Sequence, residues 1–135
     1  MRLLTLTATV ALCAAALPAQ AADRSEIEAR YSPAFQPCMD ADPSTAGMVQ
    51  CMAAENELQD RKLNARYRAV MADLTAGQQA KLKAAQRAWI TYRDAWCEAQ
   101  YDSDWGSLST IVANNCVMDM TIERTIDLEH YPPGT

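Results

Sequence analysis

The chain has one histidine, no Cys-x-x-Cys pair, and no apolar run long enough to span a bilayer. Each absence removes a class of chemistry. With His130 as the only histidine and no Cys-x-x-Cys spacing, a structural zinc site lacks its usual ligand set. His130 also lies close to the C-terminal end, so the sequence offers no Ser-His-Asp set. Carboxylates are plentiful, yet a helical chain this small argues for no pocket to hold a working pair. The sequence thus predicts no catalytic residue, no metal and no cofactor. Strand-like alternation of useful length and internal repeats are missing too, which points to an all-α fold.

The chain opens on what reads as an export signal. Arg2 gives a short positive end, an apolar run follows over "LLTLTATVALCAAAL", and Pro18 breaks it before Ala19-Gln20-Ala21. That small-x-small triplet is the form a signal peptidase accepts, whereas a membrane span needs about 20 apolar residues. Cys13 follows Leu12 rather than the small residue that lipid attachment requires. The expectation is a signal peptide over 1–21, cleaved near Ala21, and a soluble periplasmic or secreted product. Its parts would be an irregular N-terminal segment over 22–43, a helical domain over 44–130 and a disordered tail over 131–135.

The chain carries 12 basic and 17 acidic side chains, a net charge of −5, and loss of Arg2 with the signal takes this to −6. Such a balance disfavours nucleic acid and anionic membrane surfaces; it suits a basic partner or plain solubility. Four cysteines remain after cleavage, Cys38, Cys51, Cys97 and Cys116. In a small exported chain an even number predicts disulfides, and four allow three pairings. The local set, Cys38–Cys51 with Cys97–Cys116, is favoured; Cys51–Cys97 is its rival.

Apolar spacing predicts three long helices. The first runs from about Thr45 to Leu74, with Met52, Asn56, Leu63, Tyr67, Val70 and Leu74 on one face and Asp60 and Asn64 beside it. The second starts at a Thr75-x-x-Gln78 capping box and reaches about Tyr101, with Leu82, Ala85, Trp89, Tyr92 and Trp96 in its stripe. "DSDWGS" (102–107) is a turn by composition. The third spans about Ser107 to Glu129 and carries Leu108, Ile111, Val112, Met118 and Ile122, and "YPPGT" cannot extend it. Short links make neighbouring helices antiparallel, giving a small three-helix assembly stapled by two disulfides.

Folding the first long helix back on the second near residue 75 pairs positions whose numbers sum to about 150, to within one turn. Arg93 then faces Asn56, Glu57 and Asp60, and Cys51 comes near Cys97, which is the geometric case for the rival disulfide. Asn64, Tyr67, Gln86, Trp89, Arg93 and Asp94 form on this ruler a polar-aromatic network that fixes helix register. A small-ligand site around Tyr67, Trp89 and Arg93 is the other use of the same residues.

These residues also carry a resemblance. "LNARY" (63–67), "AQRAWITYRDAWC" (85–97), Gly106-Ser107, Cys116 and Thr121-x-x-Arg124-x-x-x-Leu128 resemble the LprI-type lysozyme inhibitor family, over about Cys38 to Leu128. The resemblance implies an all-helical exported bacterial domain whose partner is a lysozyme, and it carries over no set of contact residues. Members often show Gly-Gly-Ser where this chain has Trp105-Gly106-Ser107.

Two surfaces are candidates for partner binding. One is the turn with Asp102, Asp104, Trp105 and Ser107, where an aromatic anchor stands among acids and a hydroxyl; the same residues could instead cap the core and start the third helix. The other is Asp119, Glu123 and Asp127, like charges at i, i+4 and i+8 that repel within the helix. They form either a solvated face or a landing strip for a cation. Two functions follow: a binder that occludes the cleft of a basic lysozyme, steered by charge, or a periplasmic interaction or scaffold module with no glycosidase target.

Overall fold

A computed structural model describes residues 23–131, which form five helices: α1 (Arg24–Glu28), α2 (Phe35–Ala41), α3 (Thr45–Ala72), α4 (Ala76–Glu98) and α5 (Ser107–Glu129). A 3₁₀ turn, Ser103–Trp105, joins α4 to α5, and no strand occurs among the described residues. The expected signal peptide and all but Tyr131 of the expected tail lie outside the described residues.

Local chemistry sets the helix starts. The Ser44 hydroxyl accepts from the Gly47 N–H at 3.1 Å and caps α3. Gly47 lies so close to Asp42 that a Cβ there would collide with it, so the tight entry to α3 needs a glycine. The Thr75–Gln78 capping box forms as the sequence predicts: Gln78 Oε1 accepts from the Thr75 N–H at 3.0 Å, and Thr75 Oγ1 from the Gln78 N–H. Gly106, at φ +59°, takes the left-handed position between the 3₁₀ turn and α5.

Helix α5 is the spine. It runs parallel to α3 in the most extensive helix pairing of the fold: Met52 shares a core with Met118, Gln59 sits by Ile122 and Thr125, and Arg66 reaches the Leu128 carbonyl. It runs antiparallel to α4: Cys97 joins Cys116, Arg93 meets Thr121 and Gln86 meets Arg124. By contrast, α3 and α4 have almost no close backbone contact. This corrects the hairpin ruler, which assumes that helices adjacent in sequence also pack along their length. Because α5 lies between them, the inner stripe of α4 matches α5 rather than α3. Arg93 consequently finds none of Asn56, Glu57 and Asp60; Asp60 receives Asn64 at 2.9 Å, and Glu57 faces Arg61 on its own helix.

A helix that touches its neighbours along one edge buries only a narrow stripe. In α4 that stripe is Leu82, Gln86 and Cys97, with Trp89 and Arg93 partly buried between them. Tyr92 and Trp96, expected inside, are more than half exposed. The same holds for Leu108 at the start of α5.

Two apolar clusters hold the elements. One joins Ile27, Phe35, Met52, Met118, Ile122 and Ile126; the other joins Leu63, Val70, Leu82 and Leu128 with Tyr67 and Trp89 against them. The disulfides are Cys38–Cys51, tying α2 to α3, and Cys97–Cys116, tying the end of α4 to α5. The local pairing is therefore present and the Cys51–Cys97 rival is not.

The segment before α3 is more ordered than its three prolines suggest. It holds two short helices, α1 and α2. Buried Glu55 of α3 accepts from the Ser32 N–H at 2.8 Å and from the Ser32 hydroxyl, while Gln59 donates to the Arg30 carbonyl at 2.8 Å. Tyr31 packs edge-on to Phe35, with ring centroids 5.0 Å apart. Among the described residues, no buried side-chain nitrogen or oxygen lacks a hydrogen-bond partner.

Candidate functional site

The polar network predicted within the hairpin is instead a joint between α4 and α5. The Trp89 ring lies beneath two guanidinium groups, Arg93 at 5.1 Å and Arg124 at 5.8 Å from its centroid. Arg93, its side chain 16% exposed, donates to Asp94 at 2.8 Å and to the Thr121 hydroxyl at 3.2 Å. Arg124 donates to buried Gln86 at 2.9 Å. Asp94 is mostly exposed, and Tyr67 packs into the second apolar cluster. Asn64 does not join this joint: it is exposed and bonded within α3. The small-ligand use of the region loses its basis, since all three nitrogens of the Arg93 guanidinium already have partners in the fold.

The acidic strip of α5 divides in two. Asp119 is only 9% exposed and is a structural hub, accepting from Arg24, from the Tyr31 hydroxyl at 2.6 Å and from Asn115 at 2.7 Å. It is therefore not a free contact residue, which corrects the reading of all three acids as one outward face. The i, i+4 spacing is visible in the sequence; the return of an N-terminal tyrosine and arginine to Asp119 is not. Burial and the Asp119 carboxylate together push the Tyr31 phenol well above its ordinary value. Asp127 is exposed and pairs loosely with Arg124 at 3.4 Å. Glu123 is partly buried and has no hydrogen bond or ion pair among the described residues. Burial, then Asp119 and Asp127, push its carboxyl above the usual range.

The turn over 102–107 projects as an exposed element. Trp105 is 58% exposed and forms no part of the core. Asp104 and Ser107 are exposed as well, whereas Asp102 is partly spent on the turn itself, accepting from the Asp104 N–H at 2.9 Å. Among the described residues, the exposed large apolar side chains are Ile90, Tyr92, Trp96, Tyr101, Trp105 and Leu108, all within one 19-residue stretch. Scattered apolar residues are normal on a surface; here they are gathered in the second half of α4, the turn and the start of α5.

Beside this run lies a groove of about 670 Å³. Tyr92 and Trp96, stacked at 6.3 Å, form one wall, Met52 and Met120 contribute apolar surface, and Arg24, Asn115, Asp119 and Glu123 supply polar groups. Its lining comes mainly from α3, α4 and α5, with Arg24 of α1. No group of three or more His, Cys, Asp or Glu side chains able to hold a metal occurs among the described residues.

A disulfide-stapled helical domain with an aromatic, acid-flanked surface has the character of a protein-binding module. The chain matches the model of the lysozyme inhibitor LprI family over residues 38–128 and belongs to that family. A curated relative, an uncharacterized protein of Rhizobium meliloti (strain 1021), is 33% identical over 93 residues, covering 58% of this chain and 67% of its own length. No solved structure matches. The family is one of inhibitors, and none of the described helices is long and apolar enough to cross a membrane.

Proposed function

We propose that this protein is exported, with cleavage near Ala21, and binds a basic lysozyme so as to occlude its substrate cleft. One observation carries the reading: among the described residues, the large apolar side chains left exposed are gathered between residues 90 and 108, from the second half of α4 to the start of α5, in a net-acidic chain. Trp105 on the turn and Leu108 at the start of α5 have the size and exposure of binding anchors. Asp104, Glu123 and Asp127 supply charge that speeds and orients encounter with a cationic enzyme. Family membership adds the target class.

The test is lysis of bacterial cell walls by lysozymes of several types, with the oxidised protein in micromolar excess. Inhibition of at least one basic lysozyme, weakening as salt rises, is expected. Absence of inhibition across the set favours a scaffold module that uses the same aromatic surface for a different protein.

A further inference from the structure

The groove beside α4 has one feature that packing leaves uncompensated. Glu123 is a partly buried carboxylate without a partner among the described residues, on the same helical face as Asp119 and Asp127. Arg24, the nearest cation in the groove lining, is already divided between Glu28 and Asp119. The same groove is lined by the stacked rings of Tyr92 and Trp96, more than half exposed. Aromatic faces attract cations, and thioethers such as Met120 adapt to varied aliphatic stems.

We propose that this groove is a receptor for a cationic side chain, arginine or lysine, projecting from a basic partner protein, with Glu123 as its counter-charge and Tyr92 and Trp96 as its aromatic wall. The chemistry discriminates among occupants. A sugar ring stacks on indole and its hydroxyls can donate to the carboxylate, but it brings no countercharge. A second copy of this chain brings a net charge of −5 against the same sign, and the C-terminal Pro-Pro-Gly-Thr carries no side-chain cation. An arginine or lysine satisfies both halves of the site. The groove lining runs from Glu123 along α5 to Ile111, one turn beyond Leu108, so one partner can cover the groove and the projecting turn together. The partner's identity rests on the lysozyme-binding reading; the cation chemistry rests on the groove alone.

Calorimetric titration of the oxidised chain with a basic lysozyme tests this, using Glu123→Gln, Trp96→Ala and the control Glu57→Gln. Glu57 is exposed on α3 away from the groove lining, so its variant changes net charge by the same amount. Loss of a hot-spot contact weakens binding about 30-fold, the effect expected for Glu123→Gln and Trp96→Ala, against about twofold for the control. Glu123→Gln should also melt no lower than wild type, which separates a binding role from a structural one. Equal weakening by Glu123→Gln and Glu57→Gln overturns the groove and leaves the lysozyme reading standing. If the wild-type chain binds no lysozyme, that reading fails and a tri-arginine peptide decides the groove by NMR. A saturable shift of the Trp96 indole N–H, lost in Glu123→Gln, supports the receptor; its absence overturns it. A shift produced by N-acetylglucosamine oligomers and not by the peptide overturns it in favour of a sugar site.

Discussion

Replacing Asp119 by alanine probes the joint that the sequence hid most completely. The carboxylate is 9% exposed and receives three donors, so their loss can be weighed one by one. Arg24 is 60% exposed on its side chain and can return to water, so its ion pair adds little. Asn115 lies one turn away on α5 and can find solvent. The Tyr31 hydroxyl is the costly orphan, since its ring packs against the apolar cluster containing Phe35. A hydrogen bond to a charged group contributes about 1.5–3 kcal/mol, and a stranded buried donor costs about as much. A net loss near 3 kcal/mol follows, which lowers the melting temperature of a domain this size by roughly 12–20 °C. Thermal denaturation followed by circular dichroism measures it. A variant that melts within about 3 °C of wild type refutes the reasoning, because a shift that small equals less than one hydrogen bond.

Further outcomes follow from neighbouring contacts. Arg93→Ala should cost about 2 kcal/mol, from one cation–π contact and lost packing rather than from a fully buried pair, read by chemical denaturation. The Tyr31 phenol titrates above its ordinary value of 10.0 when folded, so its contribution to stability is complete below that pH and is lost as pH rises past it. Tyr31→Phe should flatten the alkaline fall in melting temperature. Arg30 holds Glu129 below its ordinary value of 4.5, so that pair stabilises the fold above this pH and is lost as pH falls through the lowered value. Glu129→Gln should reduce the acid sensitivity of unfolding. Replacing Cys38 and Cys51 together by alanine should cost about 3 kcal/mol, from the loop entropy the crosslink removes, read by urea unfolding.

The long helices were legible because their signals are local. The Thr75–Gln78 box, the Asp-Ser-Asp-Trp-Gly-Ser turn and the prolines after Tyr131 act within a few residues of themselves. Cysteine pairing was legible as a preference for short loops. Partner choice was not, because it depends on which helix lies against which. Arg93 lies over Trp89, yet their facing residues, Thr121 and Arg124, come from α5 rather than from α3. Apolar periodicity placed Tyr92 and Trp96 inside, since it registers a stripe without showing whether a neighbour covers it. Glu55 and Gln59 went unremarked, and Asp119 was placed on an outward face, for the opposite reason: they are polar residues whose burial depends on hydrogen-bond partners 23 or more positions away. Of the predicted contact residues, Asp104, Trp105, Ser107 and Asp127 are exposed, Glu123 lines the groove, Asp102 caps its own turn, and Asp119 is internal.

The most direct measurement is NMR of the ¹⁵N-labelled oxidised chain titrated with a basic lysozyme, following the three indole N–H signals and the backbone of α3. A binding surface made of the groove and the turn predicts that Trp96 and Trp105 shift together with Glu123 and its neighbours, while the Glu57–Arg61 face of α3 stays unchanged. Shifts confined to that outer face of α3, with both indoles still, would contradict it.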